Sequence, residues 1–219
     1  MNNSETNNQV QLIGEVVKEF SFSHEILGEK FFTTLIKVPR LNDKFDIIPI
    51  MVSERLVDMS WEWTDSCLRI TGQFRSRNRR TESGRNKLEL FVYATDAEAL
   101  ESMESVSDRD RNIIRLDAYI CKEPIYRETP LGREIADVLL AVNRAYNKTA
   151  YLPCICWGRN ARFASKLSVG THVAVEGRIQ SRTYTKAQED GSAKECTAWE
   201  VSVQTVRLVE EQKGGQAEC

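Results

Sequence analysis

Apolar and polar residues alternate through 171–184, and this alternation predicts a half-buried β-strand. Val173, Val175 and Ile179 lie on one face. Arginine, glutamine and tyrosine side chains occupy the opposite face, at positions 178, 180, 182 and 184. Gly177 falls on the apolar face, where the missing side chain permits a bend or a bulge. We therefore expect this strand to line a core on one side and to present polar groups on the other.

The same kind of pattern predicts five strands in each half of the chain. In the second half they are 113–122, 135–144, 150–157, 171–184 and 197–208, with a short helix at 160–167. In the first half they are 10–20, 31–38, 45–52, 67–77 and 88–93, with a helical stretch at 54–59. Five strands with a helix after the third are typical of an OB-type Greek-key barrel. The predicted fold class is all-β, with two tandem OB-fold barrels that each contain a short helix.

A sequence repeat relates the two halves. When the chain is shifted by 104 positions, Leu12 falls on Leu116; one residue is gained further on, and Gly72 falls on Gly177. We infer two copies of one domain, a divergent and basic OB fold 1 at 8–95 and OB fold 2 at 111–210. Between them, 96–110 is interpreted as an acidic linker with a short helix at 97–103. The tail, 211–219, is expected to be disordered.

The composition is that of a globular protein of the cytoplasm. The chain has 219 residues, of which 41% are hydrophobic and 28% charged, as in ordinary globular domains. No apolar run approaches the ~20 residues of a membrane helix, and the first eight residues are too polar for a secretory signal. We expect a cytoplasmic protein with no membrane partner, whose six cysteines are free thiols.

Positive charge is concentrated in one segment, although the formal net charge of the chain is −2. Between residues 69 and 87 there are seven basic residues and one acid, Glu82. Arg75, Arg77 and Arg79 alternate with Phe74, which we assign to the core, so the arginines lie on the outer face. The first copy is therefore predicted to hold phosphates; an ordinary solvated hairpin is the alternative.

The outer face of the third strand carries aromatic rings in the second copy and none in the first copy. Tyr151 and Trp157 share the outer positions of the third strand, and Tyr184 lies on the fourth. Exposed rings beside cationic side chains are what OB folds use to bind single strands of nucleic acid. The alternative is that these rings make packing or dimer contacts. The candidate nucleic-acid-binding residues are Tyr151, Trp157, Tyr184, Arg144, Arg159, Arg178, Arg182 and Lys186 in the second copy and Arg75, Arg77 and Arg79 in the first.

The other tryptophans and the paired cysteines favour structural roles. Trp61 and Trp63 follow the helical stretch and are predicted to make packing or subunit contacts, and Trp199 is expected to be at least partly buried. Cys154 and Cys156 lie two residues apart on one strand. A structural zinc site needs four ligands, and the sequence offers no second pair. We interpret both cysteines as core thiols and predict no metal and no cofactor.

Four segments of the second copy resemble bacterial single-stranded DNA-binding proteins. They are 127–132, 141–144, 151–157 and 173–184, and the last, with its Val-x-Val-Glu-Gly-Arg run, is the most specific. The resemblance covers about 111–208 and extends to 8–95 only through the repeat. It places the family's stacking aromatics on Tyr151, Trp157 and Tyr184, and its strand-four basic residues on Arg178 and Arg182.

The resemblance also implies a function and an assembly. Members of the family use OB folds to wrap and protect single-stranded DNA during replication, recombination and repair, usually with four OB folds per assembly. A homodimer of this two-barrel chain would present four. The family's acidic C-terminal tip with a final aromatic residue has no counterpart at 214–219, so recruitment of replication or repair proteins through such a tail is not implied.

No catalytic motif is present, since the sequence has neither a phosphate-cradling glycine loop nor a nucleophile elbow. We therefore predict a binding protein and not an enzyme. Three alternatives stay open: an RNA-binding OB-fold protein, a primosomal accessory factor, and an interaction module whose barrels bind only protein.

Overall fold

The computed structural model describes residues 7–80, 84, 86–187 and 192–210. The strands of its first half are β1 (Asn8–Val16), β2 (Ser21–Ile26), β3 (Glu29–Pro39), β4 (Phe45–Ser53), β5 (Cys67–Arg80) and β6 (Asn86–Leu100). They form a closed β-barrel in which the order of strands is β1-β5-β6-β4-β3 and a β1–β3 pairing closes the circuit. The β4–β6 pairing is parallel and the others are antiparallel.

The strands of the second half are β7 (Asn112–Glu128), β8 (Glu134–Arg144), β9 (Lys148–Trp157), β10 (His172–Ala187) and β11 (Ala193–Leu208), and helix α1 (Arg159–Ala164) follows β9. They repeat the circuit of the first half in the order β7-β10-β11-β9-β8, again with one parallel pairing, β9–β11. The single long strand β7 corresponds to β1 and β2 together, which lie in succession along the same edge of β3. The two barrels and the helix of the second are therefore as predicted.

Two predicted helices are wrong. In the first barrel, 54–59 forms turns instead of a helix. Asp58 Oδ1 accepts the Ser60 backbone N–H at 2.9 Å, and such local side-chain bonds compete with helix formation. Residues 97–100 of the predicted linker helix belong to β6, because β5 pairs with it as far as Cys67 and Leu100. The remainder of the linker contains a 3-10 helix, Asp108–Asp110.

Alternate strand positions fill the two barrel interiors. Phe74 is fully buried, as predicted, among residues such as Leu12, Ile36 and Ile70. The predicted irregularity at Gly177 is a β-bulge, where a side chain would collide with the carbonyl oxygen of Ser202. No helix of the described residues is long and apolar enough to cross a membrane.

The barrels are joined edge to edge by an antiparallel pairing of β1 with β7, from Asn8↔Leu116 to Leu12↔Asn112. The contacts beside this seam occur in equivalent pairs. Asn8 exchanges two side-chain hydrogen bonds with the backbone of Phe74, at 2.7 and 2.9 Å. Asn112 does the same with the backbone of Ile179, at 2.8 and 2.9 Å. The two halves are thus related by a pseudo-two-fold axis through the seam.

Strands also contact across the seam through two equivalent serines. The Ser76 hydroxyl of β5 accepts the backbone N–H of Tyr151 on β9 at 2.8 Å. The Ser181 hydroxyl of β10 accepts the backbone N–H of Ile47 on β4 at 3.0 Å. Strand β5 of the first barrel therefore lies against β9 of the second, and β10 of the second lies against β4 of the first.

Candidate nucleic-acid interface

The three predicted stacking rings are all on the surface. Tyr151 and Trp157 of β9 are 46% and 38% exposed, and Tyr184 of β10 is 41% exposed. Between the two rings of β9, Cys154 and Cys156 point into the barrel core. Among the described residues these three rings make no ring contact with one another. Each ring is therefore separately accessible to a base.

Cationic side chains accompany two of these rings. The Arg182 guanidinium carbon lies 5.8 Å from the centre of the Tyr184 ring, within the range of a cation–π contact. Lys186 is exposed two residues further along β10. Arg159 is exposed at the start of α1, two residues after Trp157. The second barrel thus has cationic side chains near both Tyr184 and Trp157, and Glu200 Oε1 lies 3.9 Å from Nε of Arg182.

Arg178, in contrast, is already engaged by a carboxylate of the first barrel. Its Nη1 lies 2.9 Å from Oδ2 of Asp46, and its guanidinium is half-buried at the seam. Burial lowers the pKa of Arg178, while the Asp46 charge acts in the opposite direction. The outward-facing role predicted for Arg178 thus needs correction, because this side chain lies between the barrels.

Asp46 is the centre of this inter-barrel cluster and was not anticipated from the sequence. Its side chain is fully buried and also binds Arg40, whose Nε donates to Oδ2 at 2.7 Å. The backbone N–H of Ser181 donates to Oδ1 at 2.7 Å. Nearby, Nε1 of the half-buried Trp199 donates to the carbonyl oxygen of Ile47 at 2.7 Å. The predicted partial burial of Trp199 is confirmed, and its contact lies at the seam.

Part of the predicted basic strand is neutralised by a single carboxylate. Glu89 on β6 binds Arg77 at 2.8 Å and Arg79 at 3.4 Å. The Arg77 guanidinium also lies 5.3 Å from the centre of the Phe91 ring. Glu89 lies just outside the 69–87 segment in which the charges were counted, so the sequence overstated the local positive charge.

Arg75 differs from its neighbours because it lies over the seam and has no carboxylate partner among the described residues. Its guanidinium carbon is 3.7 Å from the centre of the Tyr93 ring. Its Nε and Nη2 donate to Oε1 of Gln73 at 3.1 and 2.9 Å. Burial, followed by the positive charge of Arg144, lowers the pKa of Arg75 to about 10. These contacts hold the guanidinium in place without cancelling its charge.

A basic groove lies between the barrels at this point, with a cavity of about 790 Å³. Arg144 and Lys148, which flank the β8–β9 turn, share the groove with Arg75 and with Arg115 of β7. None of the described residues that line it is an acid. The exposed ring of Tyr146 in the turn also lines it. The sequence indicated Arg75 and Arg144 separately; Arg115 was missed because only the pairing of β1 with β7 brings it to this groove.

The basic groove and the aromatic strand are adjacent. The hydrogen bond between Ser76 and the backbone of Tyr151 places β9 directly against β5. Ser76 lies between Arg75 and Arg77 in the sequence. Residues that the sequence assigned to different copies therefore meet at one surface. Its chemistry is that of flat rings beside cations. Of these cations, Arg115 is paired with Glu176 at 3.0 Å, whereas Arg75 and Arg144 have no carboxylate partner among the described residues.

The remaining tryptophans and the cysteines lie elsewhere. Trp61 and Trp63 stack on each other with centroids 6.1 Å apart, and Trp63 also contacts Phe20 edge-on. Burial raises the pKa of the Cys156 thiol to about 12 and raises that of Cys154 strongly, as expected for core thiols. Among the described residues no group of three or more side chains has the composition of a metal site.

Comparison with a solved structure supports the architecture of the whole chain. The wild-type single-stranded DNA binding protein from Thermus aquaticus superposes with a TM-score of 0.74 and 19% identity, covering 97% of this chain and 96% of that one. At this level of identity the likeness concerns the fold. The chain is thus a tandem OB-fold protein.

Sequence comparison gives the family. Residues 112–209 match the model of the Single-strand binding protein family. The chain is 32% identical to single-stranded DNA-binding protein 1 of Staphylococcus aureus over 116 residues, which are 48% of this chain and 67% of the relative. The chain belongs to the single-strand binding protein family.

Other relatives match the same part of the chain. Single-stranded DNA-binding protein 2 of Listeria innocua is 32% identical over 106 residues, and single-stranded DNA-binding protein A of Bacillus subtilis is 31% identical over 111 residues. The matches cover 45% and 48% of this chain, and 64% and 62% of the relatives. The chain therefore spans slightly less than two thirds of the length of these two proteins.

Proposed function

We propose that this protein binds single-stranded DNA largely without sequence specificity, through base stacking and phosphate contacts. The observation that carries this proposal is the adjacency of the exposed aromatic strand β9 to the acid-free basic groove. Bases stack on aromatic rings, and phosphates pair with arginine and lysine. The names of the relatives, all single-stranded DNA-binding proteins, agree with this chemistry.

The proposed interface offers little means of distinguishing one base from another. Tyr151, Trp157 and Tyr184 present ring faces, and every base has a π-face that stacks on them. The arginines and lysines address the phosphates, which are the same at every nucleotide. Binding is thus an equilibrium process without covalent chemistry, suited to protecting exposed strands in replication, recombination and repair in the cytoplasm. A homodimer would present four barrels to the strand.

A length series of oligo(dT) tests the proposal. Each OB fold covers about 4–16 nucleotides, so a strand of about 8 nucleotides engages one barrel and a strand of about 30 reaches both. We expect the bound oligonucleotide to quench the fluorescence of Trp157. The affinity for oligo(dT) should rise over this range of lengths. Mass measurement of the free protein gives the number of barrels per assembly. Absence of binding to every oligonucleotide would contradict the proposal, and preference for poly(U) over poly(dT) would assign RNA as the ligand.

Reversal of the basic strand should reduce the salt dependence of binding. Each phosphate contact on a single strand contributes about 0.7 to the slope of log K against log salt. The variant Arg75→Glu/Arg77→Glu/Arg79→Glu should therefore lower the slope by up to about 2. Of the single reversals, Arg75→Glu should have the largest effect, because Glu89 already occupies Arg77 and Arg79.

The matched control for this series is Arg55→Glu. Arg55 is exposed in the turn after β4 and lies outside the basic groove. It changes the net charge of the protein by the same amount as Arg75→Glu. Equal slopes for the wild type and the triple variant would remove β5 from the interface.

A further inference from the structure

The pseudo-two-fold axis through the seam produces two equivalent grooves between the barrels. The second, which we call the Asp46 groove, has a volume of about 610 Å³. Asn8 lines the basic groove and its counterpart Asn112 lines the Asp46 groove. Arg144 and Arg40 are 104 residues apart at the ends of equivalent strands, and they likewise line the two grooves.

The grooves differ at a buried, structurally equivalent position next to each of them. In the first barrel Val38 pairs with Asp46, and in the second barrel Val142 pairs with Ala150. Both residues at this position are fully buried. Asp46 supplies the carboxylate that binds the arginines of its groove, whereas Ala150 supplies no charge.

This position contributes to a difference in charge between the two cavities. The Asp46 groove has three basic side chains and two carboxylates, because Asp108 and Arg109 line it together with Arg40, Asp46 and Arg178. The basic groove has four basic side chains and none of the described residues lining it is an acid. Cations held together in a partly buried site require a counter-charge. In the basic groove Glu176 supplies the counter-charge of Arg115, at 3.0 Å. Arg75 and Arg144 have no carboxylate partner among the described residues, so their counter-charge is left to a ligand.

We propose that the basic groove binds one backbone phosphate of the bound strand, in the role that the Asp46 carboxylate fills in the other groove. This inference rests on the proposed function, and it adds a path: the strand passes between the barrels through one groove only. The other groove is closed to a phosphate by the protein's own anion.

The arrangement of Arg75 suits a phosphate in particular. Its guanidinium is fixed from one face by the Tyr93 ring and along one edge by Gln73. A planar guanidinium held in this way matches the geometry of phosphate oxygens, and little side-chain entropy remains to be lost on binding. Arg144 and Lys148 supply further charge from the β8–β9 turn. The Tyr146 ring in the same turn lies where a base next to that phosphate could stack.

The substitution Ala150→Asp tests the proposal by making the basic groove resemble the Asp46 groove. The new carboxylate would compete with the phosphate for Arg75 and Arg144. Affinity for oligo(dT) of about 30 nucleotides should fall about tenfold at low salt, the effect of one charge-assisted hydrogen bond. The salt slope should fall by about 0.7, the value for one phosphate on a single strand.

Two variants serve as controls. Ala150→Asn introduces a side chain of the same shape as that in Ala150→Asp but without the charge, and it should retain the wild-type salt slope. Arg109→Gln removes an exposed cation from the Asp46 groove, and should also retain it. Arg144→Gln removes a cation from the basic groove without inserting a polar group in the core, so it decides the question if Ala150→Asp does not fold; its slope should fall by about 0.7.

The outcomes separate this inference from the proposed function. If the wild type binds oligo(dT) and Arg144→Gln or folded Ala150→Asp keeps the wild-type slope, the phosphate is not in this groove. A decrease in salt slope for Arg109→Gln as large as that for Arg144→Gln would also overturn the inference, since both grooves would then bind the strand. If the wild type binds no oligonucleotide, the proposed function itself fails.

Discussion

Trp157→Ala is expected to weaken binding to oligo(dT) by about 1–3 kcal/mol, the contribution of one stacked base. This corresponds to roughly a 5- to 150-fold increase in Kd. The Trp157 ring is 38% exposed at the end of β9, so its removal deletes a contact surface without opening a cavity in the core. The expected loss is in affinity and not in the stability of the fold. Anisotropy of a labelled oligonucleotide measures it, together with a urea unfolding curve.

Two variants make this experiment specific. Trp157→Phe keeps an aromatic ring and should retain most of the affinity. Trp61→Ala removes a more exposed tryptophan, 68% accessible and stacked on Trp63, outside the proposed interface, and should leave Kd unchanged. An unchanged Kd in a folded Trp157→Ala protein would show that this ring is not part of the interface.

Asp46→Asn should destabilise the protein by about 3–5 kcal/mol, the cost of removing one partner from a buried ion pair. The amide keeps the shape of the side chain but leaves the half-buried Arg40 and Arg178 without their anion. Because the cluster spans both barrels, the loss should weaken their association as well as the first barrel. Urea unfolding monitored by far-UV circular dichroism gives the free energy of unfolding.

Glu89→Gln is the matched comparison for Asp46→Asn. Glu89 also binds two arginines, Arg77 and Arg79, but these arginines are exposed. Exposed ion pairs contribute about 0–1 kcal/mol, so this variant should remain close to the wild type in stability. Similar losses in the two variants would contradict the assignment of Asp46 as the buried centre of the seam.

The barrels were predictable from the sequence because their strands carry local information. Alternation places Phe74 and Cys154 inside and Trp157 outside, whatever the rest of the chain does. The repeat is visible in the sequence as an offset of 104 residues, and strand pairing in the structure follows it, with Val38–Asp46 matched by Val142–Ala150. Local pattern failed at 97–100, where pairing with β5 overrides a weak helical preference.

The electrostatics of the candidate site were not predictable in the same way. Counting charges along 69–87 gave Arg75 and Arg77 the same predicted role, and strand alternation placed Arg178 on an outer face like theirs. The structure separates them, because Arg77 meets Glu89 within its own barrel and Arg178 meets Asp46 across the seam. Such partners are distant in sequence, and no periodicity identifies them. Only the folded structure, within each barrel and between the barrels, shows which cations have carboxylate partners.

The covalent union of the two barrels has a genetic consequence. In an assembly of identical subunits, one codon change alters every symmetry-related site at once. Here the two halves are encoded separately, so Asp46 can exist in one without appearing at Ala150 in the other. In a chain with an internal repeat of this kind, each half can change its residues independently of the other. The two grooves of one chain can therefore differ from each other, as they do here, which a symmetric homo-oligomer of single barrels does not allow.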